Sequence, residues 1–178
     1  MVYLINPKTP RLPQTVKAVE KELDKCKYEY LIVGALNPQV AQEFNFPGIT
    51  TVFAHDAEGE KLTKEELESL KHLNIVYLDG QHNIQHMFHS ASQRFKTLFP
   101  AEIMATTLCN VEKSVQKCIE NAVTAVDKKI IPAGTRVISI AGETDVPDTA
   151  IVIDPSSSKR IIDTRIIKII CHLHHQEW

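Results

Sequence analysis

Two short apolar runs in the last third of the chain limit its fold most strongly. VISIA occupies residues 137–141 and AIVI occupies residues 150–153. A short, almost continuously apolar run between turns is typical of a strand that is buried on both faces, and such strands belong to mainly parallel sheets covered by helices. These runs therefore predict an α/β fold.

The rest of the chain alternates between short β runs and amphipathic stretches, as expected of strands joined by crossover helices. Further strands are predicted at residues 2–5, 30–33, 49–53 and 75–78. Helices are predicted at residues 13–26, 38–44, 82–98 and in a region from 100 to about 128, with a capping box at Thr63 and Glu66 that starts another. The isoleucine-rich residues 160–171 predict an edge strand, or a strand after a short turn. We expect one domain over residues 1–171 and a flexible tail at 172–178.

The composition is that of an ordinary globular protein, with 43% apolar residues, 24% charged residues and a net charge of −2. Acidic and basic residues are interspersed, so the sequence offers no case for binding nucleic acid or an anionic membrane. The first residues do not resemble a signal peptide, and no apolar run is long enough to span a bilayer. The four cysteines lack CxxC spacing. We therefore expect reduced thiols and a cytoplasmic protein.

Several strings together resemble a known family. They are VYLINPK at residues 2–8, VFAH at 52–55, EIMATTL at 102–108, IPAGTRVISIAG at 131–142, DTAIVI at 148–153 and IIKIIC at 166–171. Over nearly the whole chain they resemble stand-alone archaeal and bacterial proteins that have the fold of the C-terminal domain of pyruvate kinase. The resemblance implies a three-layer α/β sandwich with a mostly parallel sheet and an antiparallel edge strand.

The resemblance also implies a function. Members of this family look like binders of a phosphate-bearing small molecule, with flavin mononucleotide (FMN) as the leading suggestion. Pyruvate kinase activity is not implied, because the related domain is regulatory and the barrel that performs the chemistry is absent from this sequence. In the family, the loop after the second strand is rich in serine and threonine. Here it is GALNPQVA at residues 34–41, without a hydroxyl side chain and with a proline that lacks an N–H.

A candidate binding site follows from the fold, since open α/β sheets bind ligands at the carboxyl ends of their parallel strands. Lys8 and Arg11 would hold an anion beside a helix N-terminus, and Asn6 or Asn37 would orient it. The alternative is an ordinary solvated loop. The acidic loop with Glu143, Asp145 and Asp148 weakens a phosphate site. The residues expected at the site are Asn6, Lys8, Thr9, Arg11, Asn37, His55, His82, Thr144 and Thr149.

Two clusters of histidines are candidate metal sites. His82, His86 and His89 would share one helix face, where a polar surface is the simpler interpretation. Cys171, His172, His174 and His175 could bind zinc or copper, but a histidine-rich chain end is the simpler interpretation. No metal site is predicted.

The function that the sequence favours is non-catalytic binding of a phosphate-bearing small molecule, FMN being a candidate cofactor. One alternative is a small flavin-dependent or other enzyme that uses His55 or His82. Another is a regulatory or scaffold domain that acts through a protein partner after losing the ligand site, and a homo-oligomer is compatible with any of these. The altered loop at residues 35–39 favours the scaffold over catalysis.

Overall fold

The computed structural model describes residues 2–55, 61–79, 112–142 and 146–173, together with Ile103 and Thr107, which are helical. Seven strands of these ranges form one sheet. They are β1 (Tyr3–Ile5), β2 (Tyr30–Ala35), β3 (Thr50–His55), β4 (Val76–Leu78), β5 (Val137–Ala141), β6 (Thr149–Asp154) and β7 (Arg165–Leu173). The described helices are α1 (Arg11–Leu23), α2 (Lys64–His72) and α3 (Lys113–Asp127), with 3-10 helices at Pro38–Phe44 and Ser158–Asp163.

The strand order is β1-β7-β6-β5-β2-β3-β4. Neighbouring strands are parallel except where β6 meets β5 and β7, which it pairs with in the antiparallel sense. The antiparallel strand that the sequence predicted is therefore β6, third from the β1 edge. The predicted fold class, a mostly parallel α/β sheet with helices packed around it, is confirmed.

The core is divided by the sheet into two layers of apolar side chains. On one face, Leu31 and Val33 of β2 belong to a cluster that includes side chains of α1, of α2 and of the 3-10 helix at Pro38–Phe44. On the other face, Ile32 of the same strand belongs to a cluster that includes α3. Alternate residues of β2 thus face opposite layers, which is why its run of apolar residues is continuous. The result is a three-layer sandwich.

The six predicted strands all lie in this sheet, and the isoleucine-rich stretch forms β7. β7 is second from the edge and follows the 3-10 helix at Ser158–Asp163. His172 and Leu173, which the sequence assigned to a tail, are instead the last residues of β7, because they pair in parallel with Leu4 and Ile5 of β1. The predicted helix at 82–98 lies outside the described residues.

The helix starts follow the local sequence. Thr63 accepts a hydrogen bond from the backbone N–H of Glu66, whose carboxylate accepts one from the Thr63 N–H, so the predicted capping box is confirmed. α1 begins after Pro10, and Pro13 lies in its first turn. None of the described helices is long and apolar enough to cross a membrane.

A buried acid near the end of α1 ties this helix to the sheet. Glu22 is 5% exposed and forms an ion pair with Lys168 of β7. Its other oxygen accepts a hydrogen bond from the Tyr28 hydroxyl at 3.2 Å. Burial raises the pKa of Glu22, but the hydrogen bond and charge of Lys168 outweigh burial and leave that pKa lowered. Burial, and after it the charge and hydrogen bond of Glu22, raise the pKa of Tyr28.

The fold makes a direct prediction about stability. Ile140 of β5 and Ile151 of β6 are fully buried on opposite faces of the sheet. Replacing either with alanine should lower the free energy of unfolding by about 2–5 kcal/mol, through lost burial and a cavity, as measured by urea denaturation. The matched control is Ile162→Ala, because Ile162 is 81% exposed and its loss should cost less than about 0.5 kcal/mol. Equal effects at buried and exposed positions would contradict the assigned core.

Candidate anion site at the carboxyl edge of the sheet

The reversed direction of β6 brings its first residue to the edge where the parallel strands end. Thr149 at the start of β6 pairs with Ala141 at the end of β5. Asp148, immediately before β6, donates its backbone N–H to the Ala141 carbonyl at 3.2 Å. The β1–α1 turn follows the end of β1, so it reaches the same edge. This carboxyl edge is the place where α/β sheets bind ligands.

Arg11 and Asp148 form the central contact at this edge. Arg11 Nη1 lies 3.1 Å from Asp148 Oδ2, and the Arg11 side chain is 29% exposed while that of Asp148 is 3% exposed. The other carboxylate oxygen, Oδ1, accepts a hydrogen bond from the Thr149 hydroxyl at 3.2 Å. The predicted site residues Arg11 and Thr149 are thus brought together through a carboxylate. Arg11, which the sequence predicted to hold an anion, is here the ion-pair partner of Asp148.

The environment of Asp148 disfavours its charged form. Burial raises the pKa of this carboxyl, while the Thr149 hydroxyl and the Arg11 guanidinium lower it and the nearby charge of Glu112 raises it further. The net effect is a raised pKa, so burial outweighs the two hydrogen bonds. Asp148 therefore neutralises Arg11 at a cost to its own solvation.

Helices on both faces of the sheet contribute to the surroundings of this ion pair. The Thr15 hydroxyl of α1 donates to the Pro147 carbonyl at 3.1 Å. From α3, Lys117 Nζ donates to the Gly142 carbonyl at 2.9 Å. A Cβ at Gly142 would lie 2.4 Å from the carbonyl oxygen of Val146, so only glycine allows this close approach of the chain. The carboxyl edge at β5 and β6 is therefore held between α1 and α3.

The turn between β1 and α1 uses several of the predicted ligand-binding groups for its own structure. Asn6 Oδ1 accepts a hydrogen bond from the Lys8 backbone N–H at 2.9 Å. The Gln14 side chain folds back over the first turn of α1. Its Nε2 donates to Thr9 Oγ1 at 2.7 Å and its Oε1 accepts from the Asn6 N–H at 3.0 Å. Asn6 and Thr9 thus stabilise the turn, while the Lys8 side chain is exposed.

Asn37 and His55 lie farther along the same edge. Asn37 Oδ1 accepts the Gln39 N–H at 2.8 Å and thereby caps the 3-10 helix at Pro38–Phe44. His55 is the last residue of β3. The pKa of Glu66, at the start of α2, is lowered mainly by the hydrogen bonds from Thr63 and to a smaller extent by the charge of His55. At about 4.8 Å per strand, the five steps from β1 to β3 amount to roughly 24 Å. Asn6 and His55 therefore cannot contact one small group together.

The remaining residues of the predicted binding and metal sites lie mostly outside the part of the chain that the structure describes. His82, His86, His89, Thr144, Glu143, Asp145, His174 and His175 lie outside the described residues. Within the described ranges, no group of histidine, cysteine and acidic side chains could hold a metal ion. Cys171 is buried, which raises the pKa of its thiol to about 12, and the charge of Asp148 adds to this effect.

A separate groove of about 610 Å³ lies at the opposite, amino-terminal edge of the sheet. It runs between the last turn of α1 and the turn that precedes β3. Its lining includes Leu23, Asp24, Cys26, Tyr28, Phe46 and Ile49. Of the residues predicted to bind the ligand, none that the structure describes borders this groove.

The sequence did not predict the roles of Gln14 and Lys117. It predicted for Asp148 only that its negative charge weakens a phosphate site. Gln14 had a local signal, because glutamine in the first turn of a helix often returns to the chain before it. Lys117 and Gly142 are 25 residues apart, and Arg11 and Asp148 are 137 apart. Contacts at such separations leave no pattern in one sequence.

No protein-family model matches the chain. The resemblance to the C-terminal domain of pyruvate kinase therefore stays a prediction.

The ion pair predicts a pH-dependent cost for Arg11→Ala. Without Arg11, the pKa of the buried Asp148 rises further above its unfolded value, so the folded state binds more protons than the unfolded state. Stability then falls as pH rises through this window. Arg11→Ala should lose about 1–3 kcal/mol at about pH 8 and less at about pH 5, as measured by urea denaturation at both values.

The control is Arg136→Ala, which breaks an exposed ion pair with Asp154 at 2.9 Å. Its cost should stay below about 1 kcal/mol. A deficit of Arg11→Ala that grows on acidification would show that Asp148 is not the uncompensated group.

Proposed function

We propose that this protein binds a phosphate-bearing small molecule at the carboxyl edge of the sheet, with Arg11 as its anion-binding residue. The observation that carries the proposal is the position of Arg11, which is the first residue of α1 and reaches over the start of β6. A helix N-terminus and a guanidinium at the same place both favour an anion.

Arg11 retains the capacity to bind an anion although Asp148 is its partner. A guanidinium has donors on three nitrogens, and the bond to Asp148 is made by Nη1. The side chain is 29% exposed, so part of it faces solvent. The ion pair fixes the orientation of the guanidinium, which reduces the entropy lost when a ligand binds. Lys8, exposed in the preceding turn, adds a second positive charge.

FMN is the ligand that the family resemblance suggests, but the loop at residues 34–41 does not fit its phosphate. Asn37 Oδ1 already accepts the Gln39 N–H, and Pro38 has no N–H to offer. We therefore propose that a flavin phosphate would bind at Arg11, with the rest of the molecule directed along the edge towards β2. Visible flavin absorbance of protein purified without added cofactor would support FMN over other phosphate ligands.

The proposal is of binding without catalysis. The alternative hypothesis of an enzyme involves His55 or His82, and the structure describes His55 as the last residue of β3. Three strand steps separate β3 from β6, roughly 14 Å, so His55 is remote from an anion on Arg11. We also propose a cytoplasmic location, which suits the free thiols of Cys26 and Cys171.

The proposal predicts that the double variant Lys8→Ala/Arg11→Ala binds pyrophosphate and FMN at least tenfold more weakly, about 1.4 kcal/mol, by isothermal titration calorimetry. The reason is the loss of both cations and of the guanidinium at the helix N-terminus. The matched control is Lys25→Ala/Lys27→Ala, which removes the same charge from exposed positions beyond the other end of α1.

A third variant separates binding from folding. Adding Asp148→Asn to Lys8→Ala/Arg11→Ala removes the uncompensated buried carboxylate, so this protein should be folded and still bind weakly. Unchanged affinity in the double variant, or an equal loss in the lysine control, would contradict the proposed site.

A second candidate function, contact with a protein partner, is favoured by the outer edge of β7. β1 pairs only with residues 171–173 of β7, and no strand of the described chain pairs with that side of residues 165–170. Exposed apolar side chains lie on β1, on β7 and just before β1: Leu4, Ile166, Ile167 and Val2, between 41% and 56% exposed. Open strand edges with apolar neighbours are sites of strand addition.

This second candidate predicts self-association or partner binding that depends on Ile167. Light scattering after size-exclusion chromatography should show an oligomer that Ile167→Lys converts to a monomer. Val76→Lys is the matched control, since Val76 is 36% exposed on β4 at the opposite edge of the sheet. A monomer at every concentration would exclude pairing between copies of the chain through this edge.

A further inference from the structure

Resting on the proposed anion site, we infer that anion binding at Arg11 is coupled to the uptake of one proton by the Asp148 carboxyl. The two groups share one guanidinium, because Asp148 Oδ2 lies 3.1 Å from Nη1 and the outer part of the Arg11 side chain faces solvent. A bound anion and the Asp148 carboxylate would then be like charges on two sides of a single cation. Each disfavours the other.

Because Asp148 is buried, we expect this carboxylate to lose its charge by taking up a proton when the anion binds. Its side chain is 3% exposed, so water screens the repulsion poorly. Protonation removes the repulsion and keeps the hydrogen bonds available, because a carboxylic acid still has a carbonyl oxygen that can accept from Arg11. The already raised pKa of Asp148 lowers the cost of this step.

Within the described part of the chain, the charged and titratable groups around Asp148 come from three elements. Arg11 of α1 opposes protonation, whereas the charge of Glu112, at the start of α3, favours it. Lys117 of α3 donates to the nearby Gly142 carbonyl. Cys171 of β7 has a pKa of about 12, so its thiol is neutral and does not compete for the proton. Asp148 is therefore the group that we expect to titrate when the anion binds.

The direction of the pH effect follows from linkage. If the complex binds one more proton than the free protein, the affinity for the anion rises as pH falls, by at most tenfold per pH unit. Asp148→Asn removes both the repulsion and the titration, while the asparagine oxygen can still accept from Arg11. This variant should bind the anion roughly tenfold more tightly than the wild type at about pH 8.

The experiment is calorimetric titration of the full chain with sulfate between about pH 5 and about pH 8, in buffers of different ionisation enthalpy. Sulfate does not change protonation in this range, so proton uptake belongs to the protein. The control is Asp154→Asn, at the other end of β6, where the carboxylate pairs with Arg136. We expect proton uptake and tighter binding at low pH for the wild type and for Asp154→Asn, and tighter, nearly pH-independent binding for Asp148→Asn.

A second measurement needs no variant. The carboxyl ¹³C shift of Asp148 in the wild type, followed against pH with and without sulfate, should give a higher pKa when sulfate is present. Sulfate binding without proton uptake, or with the same pH dependence in Asp148→Asn, would overturn the coupling and leave the anion site intact. No binding of sulfate, pyrophosphate or FMN to any variant would overturn the anion site and the coupling with it.

Discussion

The ion pair between Arg11 and Asp148 connects the first residue of α1 to the start of β6, and the β1 side of the sheet depends on it. Asp148 is buried, so its carboxylate must be compensated, and Arg11 supplies the charge. At the other end of α1, Glu22 is buried against Lys168 of β7. α1 is thus fixed to the sheet at both ends by charged contacts, with apolar residues such as Val19 between them. The position of the candidate site follows from this attachment.

The direction of β6 explains why the site contains a carboxylate at all. A parallel strand would place its first residues at the opposite edge, away from Arg11. Because β6 is antiparallel to β5, Asp148 and Thr149 lie beside the ends of the parallel strands. The reversed direction of β6 therefore also places a carboxylate against Arg11, the proposed anion-binding residue. On this account, ligand affinity at the edge depends on how well Asp148 tolerates a second negative charge.

The sequence predicted the parts of the structure that depend on local pattern. The apolar runs of β5 and β6 are buried strands, and Thr63 and Glu66 form their capping box. The place of β7 between β1 and β6 was not predictable, because it rests on pairing between distant segments. For the site, the sequence supplied Arg11 and Thr149, but their link through Asp148 depends on the fold. Asn6 and Thr9 were assigned to a ligand, whereas their hydrogen bonds to the turn show a structural use.

The most direct test of the account is a map of amide chemical-shift changes by NMR as pyrophosphate is added to ¹⁵N-labelled protein. We predict that the largest changes occur at Arg11, Leu12 and Thr149, where the first turn of α1 meets the start of β6. Changes concentrated instead around the groove at Cys26 and Phe46, or at residues 82–89, would contradict an anion site at the carboxyl edge of the sheet. So would a spectrum that pyrophosphate leaves unchanged.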